Sequence, residues 1–112
     1  MSGNEVLLVM TNLPDRDVAE RIASSLVTEG VAACVNVLAD CTSVYHWEGK
    51  LNRTTEVPLL IKTTKAAYPR LQDVLHKLHP YEIPELIALP VSAGLPEYLN
   101  WVVQETQARK PK

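Results

Sequence analysis

Residues 77–91, KLHPYEIPELIALPV, leave one apolar pattern and enter another. Upstream, Leu71, Val74, Leu75 and Leu78 recur at helical spacing, which predicts a helix over residues 65–78. Downstream, residues 85–91 form a short apolar run before the turn residues Gly94-Leu95-Pro96, which predicts a strand. Between the two, Pro80 and Pro84 bracket a tyrosine and a glutamate and stiffen the chain. A helix that hands over to a strand through so rigid a connector is half of a β-α-β unit.

Working backward, residues 55–63 predict the strand before that helix, and Glu48-Gly49-Lys50 a tight turn in which Gly49 can take positive φ. Residues 31–47 read as a long strand with a break near Ala39-Asp40. Val18, Ala19, Ile22, Ala23 and Leu26 repeat as a helix, with Asp15 as N-cap and Gly30 as the stop. Val6-Leu7-Leu8-Val9-Met10 is a first strand, ended by Leu13-Pro14-Asp15. Beyond residue 91, Tyr98, Leu99, Val102 and Val103 predict a last amphipathic helix. The order βαββαβ plus a C-terminal helix predicts an α+β, ferredoxin-like split βαβ fold with a four-stranded antiparallel sheet.

At 112 residues the chain is expected to form a single domain over 1–112. A hydrophobic share of 46% places it among folded proteins rather than disordered ones. A net charge of -2 offers no attraction to nucleic acid or an anionic membrane, and the basic end Arg109, Lys110 and Lys112 reads as a solvated terminus. Met1-Ser2-Gly3-Asn4-Glu5 does not resemble a signal peptide, and no apolar stretch reaches membrane-spanning length. Cys34 and Cys41, seven residues apart in extended chain, would lie roughly 20 Å apart at about 3.3 Å per residue, too far for a disulfide. Buried free thiols and a cytoplasmic location are the expectation.

Two helices cover one sheet face, so the strands of a monomer should alternate apolar and polar. They do not. Val9 with Met10, Leu59 with Leu60, and Leu86 with Ile87 put apolar groups on both faces. A bare face of that size aggregates unless covered, which predicts an obligate oligomer. A hairpin over residues 41–58 would also project beyond the sheet as a two-stranded ribbon, marginal by itself. Tyr45 and Trp47 near its tip would then pack against a neighbouring subunit.

Tyr45-His46-Trp47-Glu48-Gly49-Lys50, Glu56, Leu60-Ile61-Lys62-Thr63-Thr64, His79-Pro80-Tyr81 and Pro84-Glu85 together resemble the signature of the CutA divalent-cation tolerance proteins. The similarity runs from the first strand through Trp101. It implies a ferredoxin-like fold, a tight homotrimer held by intersubunit strand pairing, and a link to copper and other divalent-metal tolerance. It also implies kinship with the trimeric PII signalling proteins, which hold small molecules between subunits.

The metal implication meets a departure in this chain. In bacterial members, copper ligands are assigned to a cysteine ending the first strand and to two histidines before the Pro-Tyr. The corresponding residues here are Thr11, Leu78 and His79. His79 alone remains as a metal candidate, and copper(II) binding is expected to be weak because one imidazole is not a site. His76, three residues upstream, is a substitute only if the helix continues through His79, which Pro80 disfavours.

No phosphate loop or nucleophile elbow marks an enzyme. An acylphosphatase-like activity would need an arginine in a glycine-patterned loop, where the chain has Asn12-Leu13-Pro14-Asp15-Arg16. What remains is polar. Glu56 and Lys62 share one face of their strand, and Tyr81, Glu82 and Glu85 arrive on the proline-bracketed connector. Glu56, Lys62, Tyr81 and Glu85 are therefore the candidate binding residues. They would serve either an intersubunit salt-bridge network or a ligand cleft of the PII-like kind. Non-catalytic action in metal-ion tolerance is the functional expectation, with a small-molecule sensor and then an acylphosphatase-like enzyme behind it.

Overall fold

A computed structural model describes residues 4–108; Met1-Ser2-Gly3 and the basic end from Arg109 to Lys112 lie outside the described residues. The chain runs β1 (Val6–Leu13), α1 (Arg16–Thr28), β2 (Cys34–Val37), β3 (Cys41–Trp47), β4 (Lys50–Thr64), α2 (Tyr68–Leu78), β5 (Ile87–Pro90) and α3 (Pro96–Glu105). The long strand expected over 31–47 is thus two, β2 and β3, parted at residues 38–40. Expected strand bounds also move: β4 begins five residues early, and β5 is shorter than 85–91.

The strand order is β2-β4-β1-β5, all antiparallel, with β3 pairing β4 alone. β1 and β2 therefore flank β4, and β4 and β5 flank β1, which makes two interleaved split βαβ units. Local chemistry explains the element ends. Asp15 caps α1 by accepting from the Val18 amide at 2.9 Å, and Gly30 stops the helix at φ 74°. Glu48 and Gly49, at φ 53° and 79°, close a two-residue hairpin between Trp47 and Lys50. The Thr64 hydroxyl accepts from the Ala67 amide and starts α2, which Pro69 can enter without losing a bond. His79 leaves the helix extended, with ψ at 131°, as its place before Pro80 requires.

Alternation along the strands sorts the core. Leu7, Val9 and Leu13 of β1 join Val57, Leu59 and Ile61 of β4 on the face covered by Ala19, Ile22 and Leu26 of α1 and by Leu71 and Leu75 of α2. On the opposite face α3 seals only one end, where Val102 packs with Val6 and Ala33. The remainder of that face stays open. Leu8 and Met10 are half-buried there, opposite Leu89 and Ile87, which are 48% and 49% exposed. Leu60 lies across from Met10 on β4. Cys34 also lies on this face, as the cross-strand partner of Lys62; it is half-exposed rather than core, and both cysteines are free thiols.

Candidate functional site

The site forms where β4 leaves the sheet. From Val57 to Thr64 the strand pairs β1, but from Lys50 to Glu56 it pairs only β3, so residues 41–56 form the expected ribbon. Cross-strand pairs Tyr45–Asn52, Trp47–Lys50 and Cys41–Glu56 set one ribbon face. Tyr45, Trp47, Thr54 and Glu56 lie on that face and border a cavity of about 580 Å³. Its other wall is the connector Pro80–Glu85, with Asn12 from the end of β1. The ribbon and the connector thus face each other across this cavity. The ribbon's aromatics Tyr45 and Trp47 line the cavity and remain 42% and 46% exposed.

The connector is pinned at both ends. The His79 Nε2–H donates to the Asn12 carbonyl at 2.9 Å, and His79 Nδ1 accepts from the Tyr81 amide at 3.2 Å. Both ring nitrogens are engaged in a neutral tautomer. Burial pushes the His79 pKa down, which favours that neutral ring. Further along, the Thr11 hydroxyl donates to the Glu85 carbonyl at 2.6 Å, and the Asn12 amide donates to Glu85 Oε1 at 2.9 Å. Tyr81 donates its phenol to Glu56 Oε2 at 2.8 Å. Burial, and then that carboxylate, pushes the Tyr81 pKa up, so the phenol remains a donor.

The four candidate binding residues therefore divide. Glu56, Tyr81 and Glu85 converge on the cavity, and Glu82 borders it too. Lys62 does not: six residues along β4 from Glu56, it donates to Asn36 on β2. Shared strand face put the two together in the sequence, but face is not distance. At about 3.3 Å per residue, six residues separate them by roughly 20 Å. Asn12 and Thr54 were not foreseen. The even-numbered alternation that groups Asn12 with Met10 and Thr54 with Glu56 is the signal that finds them.

The residues do not fit a metal ion. His79 has no free ring nitrogen, Thr11 is buried with its hydroxyl bonded, and Leu78 offers no donor. Among the described residues no three of His, Cys, Asp or Glu are grouped to hold a cation. The acylphosphatase-like alternative fares no better, since Arg16 is held by the Leu38 carbonyl at 2.8 Å and by Asp40 at 3.3 Å.

With this geometry in hand, comparison with known proteins is decisive. Residues 7–105 match the family described as CutA1 divalent ion tolerance protein. The chain belongs to that family. It is 43% identical over 99 residues to the divalent-cation tolerance protein CutA of Thermus thermophilus, covering 88% of this chain and 96% of the relative. A mouse relative, Protein CutA, is 44% identical over 95 residues, but this chain covers only 54% of its length. The crystal structure of CutA from Xylella fastidiosa superposes with a TM-score of 0.90 at 45% identity, covering 92% of this chain and 99% of that one. The antiparallel sheet and three helices described above are thus the family's fold. Among the described residues no helix is long and apolar enough to cross a membrane.

Proposed function

We propose that this chain acts in divalent-cation tolerance as a non-catalytic homotrimer, one CutA-like domain per subunit, with a ligand cleft beside the subunit boundary. The observation that carries the assembly is the open sheet face. Leu8, Met10, Leu60, Ile87 and Leu89 form a contiguous apolar patch that α3 leaves uncovered. A patch of this kind marks a protein–protein contact. Asn12 and Glu56 belong to the same face by alternation, so the cavity adjoins the surface that a second subunit would cover. The free thiols fit a reducing, cytoplasmic setting.

Direct copper(II) chelation is weak in this reading, because the donor set is incomplete. Tolerance then comes from the assembly and what its cleft binds, which is the sense in which a PII-like sensor role stays close to it. Sedimentation velocity tests the assembly: the protein should remain trimeric on dilution, and Ile87→Asp should yield a folded, smaller species. A strain lacking the gene should lose growth in elevated copper and recover it with the intact chain but not with Ile87→Asp. A folded monomer of the unaltered chain overturns the proposal.

A further inference from the structure

The geometry points to an organic cation of the amine or guanidine type as the ligand of the cavity between the ribbon and the Pro80–Glu85 connector. The inference rests on the cleft proposed above and names what enters it.

Charge decides the sign of the ligand. The lining contributes the carboxylates of Glu56, Glu82 and Glu85 and no lysine, arginine or histidine. Three carboxylates with no cationic side chain beside them repel phosphates and carboxylates, which disfavours nucleotides as occupants. Within this lining Glu56 stands apart. It is 7% exposed, and its one hydrogen bond comes from a neutral phenol on Oε2, leaving Oε1 without a protein partner. Oε1 is therefore the part of this largely buried carboxylate that solvent or a ligand in the cavity can reach. A ligand cation would complete it. Glu85, an exposed residue of the same lining, has its Oε1 taken by the Asn12 amide.

Shape and softness decide the class. A metal ion needs several donors converging within about 2.0–2.6 Å, and among the described residues no such group exists. The carboxylates are instead dispersed around a space of about 580 Å³, the scale of a small organic ligand. Tyr45 and Trp47, 42% and 46% exposed, supply ring faces on one wall, and Ile83 supplies an apolar one. Aromatic faces attract delocalised or alkyl-substituted cations, while the hydrocarbon body covers the exposed rings. Dispersed carboxylates beside aromatic walls suit a cation with a carbon chain better than a bare ion.

Titration calorimetry of the full-length protein with agmatine, which carries an ammonium and a guanidinium on one butyl chain, tests this. Butyrate and copper(II) chloride serve as the anionic and metallic controls. One agmatine per subunit should bind and change tryptophan fluorescence, a change absent in Trp47→Phe, whereas butyrate should give no heat. Glu56→Gln keeps an oxygen for the Tyr81 phenol and should weaken binding by about tenfold or more. Glu85→Gln, at an exposed position, provides the second variant if Glu56→Gln fails to fold. Absence of agmatine binding to a sedimenting trimer overturns this inference and leaves the assembly proposal standing. Agmatine binding to a folded monomer does the reverse. Equal affinity in the wild-type chain and a folded Gln variant, or displacement of agmatine by butyrate, also overturns it.

Discussion

β4 is one unbroken strand with two unlike halves. From Val57 to Thr64 it lies inside the sheet, hydrogen-bonded to β1 along its length and to β2 over Leu59–Lys62. From Lys50 to Glu56 it has β3 as its only neighbour. In the inner half Leu59 and Ile61 are fully buried under the helices, whereas Leu51 in the outer half is 67% exposed. Backbone conformation is continuous across the seam, so the contrast comes from what each half packs against. The inner half makes the fold stable. The outer half is available for recognition, and Glu56, the most buried carboxylate of the cavity, sits at their junction.

The comparison can be broken by substitutions of one kind on either side. Leu59→Ala removes a fully buried side chain from beneath α1 and α2 and should destabilise the protein by about 2–5 kcal/mol, measured by urea unfolding. Still in the inner half, the Thr63 hydroxyl donates to the Val31 carbonyl at 2.7 Å in a fully buried setting. Thr63→Val should cost about 1–3 kcal/mol by leaving that carbonyl unpaired, and an unchanged unfolding midpoint would show that the contact is dispensable.

At the seam, pH sharpens the contrast. His79 ties the connector to Asn12, the cross-strand partner of Pro58, and burial lowers its pKa below the ordinary 6.5. Below that value the unfolded chain binds a proton that the native ring resists, so stability falls as pH drops from 6.5 toward the lowered native value. Above 6.5 the contribution is fully present. Denaturant midpoints measured across this window should slope in the wild-type chain and flatten in His79→Gln.

In the outer half the effects shrink. A Cβ at Gly49 would meet nothing within 4 Å, so Gly49→Ala costs only its backbone strain at φ 79°, about 1 kcal/mol. Leu51→Ala, in open solvent, should shift the unfolding midpoint by less than about 0.5 kcal/mol. A cost for Leu51 equal to that for Leu59 would erase the distinction between the halves, at least until a subunit contact on the ribbon was shown.

Much of the fold was legible because its signals are local. Asp15, Gly30 and Gly49 each mark an element end through a dihedral or a cap that no distant residue can change. Both-face apolar strands likewise exposed the open face in advance. The site was legible only in part. Glu56, Tyr81 and Glu85 could be grouped because a rigid connector must return past the end of a long strand. Lys62 lies apart from them within the subunit, since alternation along a strand reports the face and says nothing of separation. Alternation places Asn12 on the face of Met10, but only the connector's long-range route over the end of β1 brings Glu85 to it. Trp47 illustrates the remaining difficulty: an aromatic on a projecting ribbon reads as an interface anchor whether its partner is another chain or residues 80–85 of its own.

Pro58 gives the seam a further consequence, visible in the exchange of amide hydrogens with solvent. It stands opposite Asn12, one residue before the β1 ladder ends at Leu13–Val57 and one residue past the end of the β2 ladder at Val37–Leu59. Lacking an N–H, it leaves the edge of β4 that faces away from β1 without a donor at that point. Its carbonyl still accepts from the Leu38 amide at 3.0 Å, so that edge of the strand keeps one tie where the proline offers no donor. Opening of the ribbon can therefore stop at Glu56, where its ladder with β3 ends, without breaking a bond of the inner sheet. Amides from Leu51 to Glu56 should exchange as a fast group, and those of Leu59 to Thr63 only on global unfolding. The change of partner beside this proline thus divides one strand into two units of cooperativity, and lets the recognition half breathe while the sheet stays closed.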